Sequence, residues 1–188
     1  MTRYSRERAE ITRLEILESA TELFRHHRVN EVSLAKIMSK IGMTPSAVYQ
    51  HFDSKEELAS EVCSRTFRDT HDTWTAVIDR ARQQSQSPLH MLIGEYLLLA
   101  KQGHCPIIAL GPDAEGAPHD HPFARAYRDG SKGLLDVLTQ VSEERKNHSS
   151  RENTLVLFAA MLGVGLLSRV AGGEQWAEEI EKAFLDSY

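Results

Sequence analysis

The stretch Ser33 to Phe52, SLAKIMSKIGMTPSAVYQHF, constrains the fold more tightly than any other part of this chain. Leu34, Ile37, Met38 and Ile41 recur at helical spacing, so the first half reads as a short helix with one apolar side. Gly42 follows where a helix C-terminus favours a residue that tolerates positive φ. Thr44 then suits an N-cap, and Pro45 suits a first helical residue because its missing N–H has no helical partner there. The second helix, from Pro45 to about His51, carries polar tips at Ser46, Tyr49, Gln50 and His51. Two helices joined by a short glycine-containing turn make a helix-turn-helix, for which the expected partner is duplex DNA.

Composition sets few limits on this reading. The 188 residues suffice for one ordinary domain or a small module plus a larger one. A net charge of −5 argues against a protein that coats nucleic acid nonspecifically. It leaves room for a specific binder, because phosphate contacts need only a local patch. Through residue 55, nine Lys and Arg stand against seven Asp and Glu, a balance of +2; beyond it, 13 stand against 20. Two cysteines, Cys63 and Cys105, make neither a disulfide scaffold nor a zinc motif. Thr2 to Arg13 is polar and charged, unlike a secretory leader. The longest charge-free apolar run, Asn153 to Ser168, falls short of the ~20 residues of a spanning helix. A soluble cytoplasmic protein with no membrane partner is expected.

Ahead of the helix-turn-helix, residues 1 to 10 form a polar arm holding Arg3, Arg6 and Arg8. It reads either as a disordered tail or as an arm that follows the DNA backbone. Thr12 and Glu15 form a capping-box pattern opening the first helix, with Ile16, Ala20, Leu23 and Phe24 on its buried face and its end near His27. Behind the helix-turn-helix, Ser54 and Glu57 form a second capping box. They open a long helix to about Gln83, with Leu58, Val62, Cys63, Phe67, Trp74, Val77 and Ile78 on its apolar side.

The run ILESATELF at 16 to 24, with Ser33, Ile37, Gly42, Tyr49, His51, Phe52 and Ser54-Lys55-Glu56-Glu57-Leu58, resembles the TetR/AcrR family of bacterial transcriptional regulators. The resemblance spans about Arg13 to Leu58. Two departures stand out: Arg28 where the family usually has glycine after the first helix, and Met38 and Ile41 where it favours alanine. Carried over by position, Ser33 would cap its helix and touch a phosphate. Thr44, Pro45, Ser46 and Gln50 would lie against base edges, and Tyr49, His51 and Lys55 would reach the DNA backbone. Phe52 reads as a core aromatic, and for Tyr49 a core role is the alternative to a backbone contact with a partly packed ring. The resemblance further implies a homodimeric regulator, usually a repressor, that leaves a near-palindromic operator when a small molecule binds.

Further along, Pro88 to about Gln102 reads as a helix with a wide buried face. Gly103 to Pro122 is rich in Gly and Pro and reads as a brief helix over Ile107 to Leu110 followed by a long loop. Its Gly-His-Cys-Pro opening resembles a pattern in the regulatory domains of some family members. The same segment gathers His104, Cys105, Asp113, Glu115, His119, Asp120 and His121, but at spacings that match no zinc pattern, so no metal is expected. A redox- or metal-responsive regulator built on Cys105 and these histidines is the alternative reading. Phe123 to about Arg145 reads as a helix and Lys146 to Ser150 as a polar turn.

Glu152 to about Ala171 is the most apolar helix, and it must bury more than one face. Phe158, Ala159, Leu162, Gly163 and Leu166 are the candidate dimer interface, the alternative being a wholly internal core helix. A short helix after Glu174 closes the sequence. Candidate effector-pocket residues are Phe67, Trp74, Met91, Tyr96 and Phe123.

An all-α fold of about nine helices is therefore expected. It divides into an arm and helix-turn-helix DNA-binding domain at 1–55 and a helical effector-binding and dimerisation domain at 56–188. No glycine loop for phosphate or dinucleotide, nucleophile elbow or catalytic metal signature is present, so neither an enzyme nor a cofactor is expected.

Overall fold

The computed structural model describes residues 3–144 and 150–188, with side chains from residue 6 onward. The expected polar turn at 146 to 150 lies almost wholly outside the described residues. Among those described, the fold is all helical. Eight α-helices follow in order: α1 Arg3–Phe24, α2 Leu34–Lys40, α3 Lys55–Gln83, α4 Pro88–Lys101, α5 Pro106–Glu115, α6 Pro122–Glu143, α7 Arg151–Val170 and α8 Gln175–Ser187. Two short 3-10 segments, Val29–Glu31 and Pro45–Gln50, precede and follow α2. The chain forms two compact units, one of residues 1–66 with 109–128 and one of 67–108 with 129–188.

The first unit is built around α1. Its helix begins at Arg3, so the expected free arm is corrected: no Gly or Pro interrupts residues 3–11, and Arg, Glu and Ala there are good helix formers. Thr12 is accordingly an interior residue and opens nothing. The helix stops at Phe24, three residues before the expected end. Ile16, Leu17, Ala20 and Phe24 are buried and meet Val32, Ile37, Met38, Val48, Phe52 and Leu58 in one core. The buried Ser19 hydroxyl donates to the Ile37 carbonyl at 2.9 Å, tying α1 to α2. Met38 on α2 is fully buried.

The turn after α1 shows how Arg28 replaces a glycine. Arg28 is extended, with φ −59° and ψ 145°, so the strain of positive φ never arises. Its backbone N–H donates to Glu31 at 3.2 Å, its guanidinium donates to the Pro112 carbonyl at 3.1 Å, and the next N–H, of Val29, donates to Asp113 at 3.0 Å. These bonds also correct the expected long loop. α5 continues through Gly111 and Pro112 to Glu115, because its last turn gains partners that a free segment lacks. Leu110 packs in the core and Cys63 lies beside the Phe123 carbonyl.

In the second unit α7 packs on α4 and α8. Ser87 caps α4 by accepting the His90 N–H at 3.4 Å, and Ser150 caps α7 by accepting the Asn153 N–H at 3.3 Å. The side of α7 turned inward is Thr154, Leu157, Met161, Val164, Gly165 and Ser168. α7 is long and apolar enough to cross a membrane, as the core helix of a soluble protein also can be.

Candidate nucleic-acid interface

Three devices hold the helix-turn-helix. Ser33 caps α2, its hydroxyl oxygen accepting the Lys36 N–H at 3.1 Å. Gly42 then turns the chain at φ +70°, while the Met43 N–H reaches back to the Met38 carbonyl at 2.9 Å, a closure open to few residues other than glycine. Finally, Val48 and Phe52 sink into the core with 1% and 2% exposure, fixing the inner side of the recognition segment.

The outer side of that segment is what remains. The expected short helix from Pro45 is present as a 3-10 helix, Pro45–Gln50, in keeping with its six-residue length and its proline start. Thr44 occupies the N-cap position without a side-chain capping bond; its hydroxyl lies 3.4 Å from that of Ser46. Ser33, Thr44, Pro45, Ser46, Tyr49 and Gln50 are all exposed, whereas His51 and Lys55 are half-buried. Tyr49, at 61% exposure, is no core aromatic; Phe52 is one. These groups supply hydroxyl, amide, phenol, imidazole and ammonium donors, and none is acidic. Burial, and secondarily the charge of Arg13, holds His51 below the ordinary imidazole range, which favours its neutral form.

Arg13, which the sequence pattern left without a role, is the buttress of this site. Its guanidinium lies 4.6 Å over the Phe52 ring and forms a two-point pair with Glu61 on α3. A basic residue on the otherwise apolar-periodic face of the first helix was the available signal. Lys36, exposed on the first turn of α2, is a second residue the pattern left out; its spacing of three from Ser33 puts both on one turn.

Residues 16–62 match the family model described as bacterial regulatory proteins, tetR family. The HTH-type transcriptional regulator TtgR of Pseudomonas putida is 36% identical over 72 residues, covering 38% of this chain and 34% of that protein. The HTH-type transcriptional regulator AcrR of Shigella flexneri is 39% identical over 62 residues, covering 33% and 29%. The chain belongs to the TetR/AcrR family of bacterial transcriptional regulators. The matched stretch spans about a third of these curated relatives' length. A TetR-family transcriptional regulator from Agrobacterium tumefaciens, 22% identical, shares the fold with a TM-score of 0.76 over 95% of this chain and 98% of its own.

In this TetR-family chain the candidate effector residues fall in both units. Trp74 meets Tyr96 edge-on, with ring centroids 6.0 Å apart. Both are buried, as is Phe67, which seats against Gly130 so closely that a Cβ there would come within 2.2 Å of its ring. Met91 is half-buried. Phe123 belongs to the first unit, where it lines a cavity of about 360 Å³. The candidate dimer residues lie on the side of α7 away from its packed face: Ala159, Gly163 and Leu166 are exposed, Phe158 and Leu162 half-buried. Leu155, Val156 and Val170 extend this open apolar side, so α7 is not enclosed by its own chain.

Cys105 is buried with 5% exposure and lies 3.6 Å from the Tyr96 hydroxyl. Burial raises its pKa, and that of Cys63 to about 12, so both stay protonated thiols at neutral pH. Among the described residues, no three of His, Cys, Asp and Glu gather as a metal site.

Proposed function

We propose that this regulator is a cytoplasmic, homodimeric repressor that reads a near-palindromic operator and is released by a small-molecule effector. The observation that carries the DNA half is the recognition segment: its inner side is locked into the core by Val48 and Phe52, while Thr44, Pro45, Ser46, Tyr49 and Gln50 stand open beside it. Short hydroxyls and an amide at this position suit base edges and phosphates. Gln50 is the one side chain suited to a two-point adenine contact. Ser33, Tyr49, His51 and Lys55, joined by Lys36, take the phosphates.

The open apolar side of α7, with Trp176 and Ile180 exposed on α8, supports a second copy as partner. Two-fold pairing there makes Phe158, Ala159, Leu162, Gly163 and Leu166 self-complementary. A dimer presents two recognition segments, which must lie about 34–36 Å apart to enter successive major grooves. An effector among Phe67, Trp74, Met91 and Tyr96, the candidates within the second unit, acts by preferring a dimer with another spacing, to the extent of its differential affinity. On this reading residues 1–55 recognise DNA and 56–188 regulate it, with α3 as the continuous element between them.

A redox-responsive regulator built on Cys105 is less well supported, since its thiol is buried and stays protonated. The deciding experiment is a gel shift with duplex DNA from upstream of the chain's own coding sequence. A sequence-specific shift by a dimer at moderate salt is expected; a confirmed dimer giving no specific shift at that salt overturns the reading. Release that persists in Cys105→Ser separates the effector mechanism from the redox one.

A further inference from the structure

The cavity of about 360 Å³ lies wholly within the first unit. Arg28, Val29, Asn30 and Glu31 form one wall, the first turns of α3 at Lys55, Glu56 and Ala59 another, and residues 112 to 123 the third. The effector candidates of the second unit do not account for it, and of its lining residues only Lys55 is among the proposed DNA contacts.

The hydrogen-bonding capacity of its walls is uneven. Each carboxylate already has a structural task. Glu31 accepts the Arg28 N–H, Asp113 accepts the Val29 N–H, and Glu56 accepts its own N–H and the Ser54 hydroxyl. The donors are less committed. Lys55 makes no side-chain hydrogen bond or ion pair among the described residues, although its charge is felt by Glu56 and Asp113. His121 accepts the Phe123 N–H on Nδ1 at 3.2 Å, which places the hydrogen of the neutral ring on Nε2, where no acceptor among the described residues meets it. Asn30 adds an amide and Arg28 a guanidinium that already donates to the Pro112 carbonyl, while Ala59, Ala117, Pro118 and the Phe123 ring make an apolar portion of the wall. The start of the 29-residue α3 adds the partial positive charge of a helix N-terminus.

We propose that this cavity binds a small organic carboxylate, its anionic end held by Lys55 and His121 and its apolar body against Ala117, Pro118 and Phe123. Of the resident carboxylates, Asp113 is faced by the charges of Arg28 and Lys55 and Glu56 by those of Lys55 and His121, while the Glu31 carboxylate is tied to the Arg28 N–H. A bound carboxylate takes up Lys55, which the DNA reading assigns to a phosphate, so occupancy and operator binding oppose each other.

Titration calorimetry of the full chain with benzoate tests the site without DNA. Its result therefore stands or falls separately from the regulator reading. Benzoate is expected to bind saturably at millimolar concentration or below, with benzylamine and benzamide weaker by about tenfold or more, the loss of one charge-assisted contact. Lys55→Gln is expected to weaken benzoate by a similar factor, and Ala117→Trp, which fills the cavity from an exposed loop, to abolish it. Benzylamine binding as tightly as benzoate overturns the proposal. So does unchanged benzoate affinity in folded Lys55→Gln, or the absence of saturable heat at millimolar benzoate.

Discussion

The recognition segment and the outer side of α7 are both surfaces that the chain leaves open, and they are chemical opposites. At the recognition segment every large apolar group, Val48 and Phe52, is withdrawn into the core, and hydroxyl, amide and phenol groups remain outside. Along α7 the withdrawn groups include the small polar Thr154 and Ser168, while Leu155, Val156, Leu166 and Val170 stay in contact with solvent. Polar groups cost nothing to leave in water, so the first surface is complete without a partner and can bind and release one. Exposed Leu and Val forfeit burial energy until covered, at roughly 25 cal/mol per Å² of apolar surface. On the dimer reading proposed above, the second surface belongs to a lasting contact. Tip chemistry distinguishes a reversible partner from a permanent one.

The largest effect should come from the buried side of the first surface. Phe52→Ala removes a ring that is 2% exposed and carries Arg13 above it. The expected loss is about 3–5 kcal/mol of stability, read by urea denaturation. A loss under about 1 kcal/mol, far below the usual cost of emptying a buried ring site, means the ring does not anchor the segment and the contrast between its two sides fails. Next comes the outer side of α7. Leu166→Glu, at a position 44% exposed, should leave the monomer folded while weakening dimerisation by about 3 kcal/mol, roughly a hundredfold, because two unpaired carboxylates would be desolvated. Sedimentation equilibrium reads this directly. Undiminished dimer would move the subunit contact elsewhere.

How legible these surfaces are in sequence depends on range. α2, its Ser33 cap, the Gly42 turn and the limits of α3 and α4 follow from neighbours within about four residues, and sequence spacing captures such signals. The start of α1 does not, because a capping-box pattern at Thr12 looks the same inside a helix as at its end. Nor does the extent of α5, where Gly111 and Pro112 locally disfavour helix. The bonds that sustain it, from Arg28 to the Pro112 carbonyl and from Val29 to Asp113, cross 84 residues. Arg13 is hidden for the same reason, its partners Phe52 and Glu61 being far along the chain. At the interface, residue types were readable, and so was the leaning of Phe52 to the core and of Tyr49 to the DNA backbone; the fold supplies the degree of separation, 2% against 61% exposure.

That separation sets the next effect. Tyr49→Ala should leave the unfolding midpoint almost unchanged, since the side chain is 61% exposed. It should weaken DNA binding by about 1 kcal/mol for every sequence tested, the mark of a backbone contact rather than a base contact. A loss confined to one operator variant would instead make Tyr49 a base reader and blur the division between positioning and reading residues.

The smallest effect tests whether His51 belongs to the buried or the open side. Its pKa in the folded chain is lowered, first by burial and then by the Arg13 charge, relative to about 6.5 when unfolded. The unfolded chain therefore takes up a proton that the folded chain resists. Stability should be unaffected well above about pH 6.5 and fall as pH drops through that value, levelling off once the folded ring also protonates. His51→Gln should remove this component, leaving only the acid dependence of the carboxylates. The check is the difference between the two thermal midpoints measured from neutral pH to mildly acidic pH. A difference that stays flat places the ring in bulk solvent and on the open side, whereas one that narrows toward acid places it on the buried side, against Arg13.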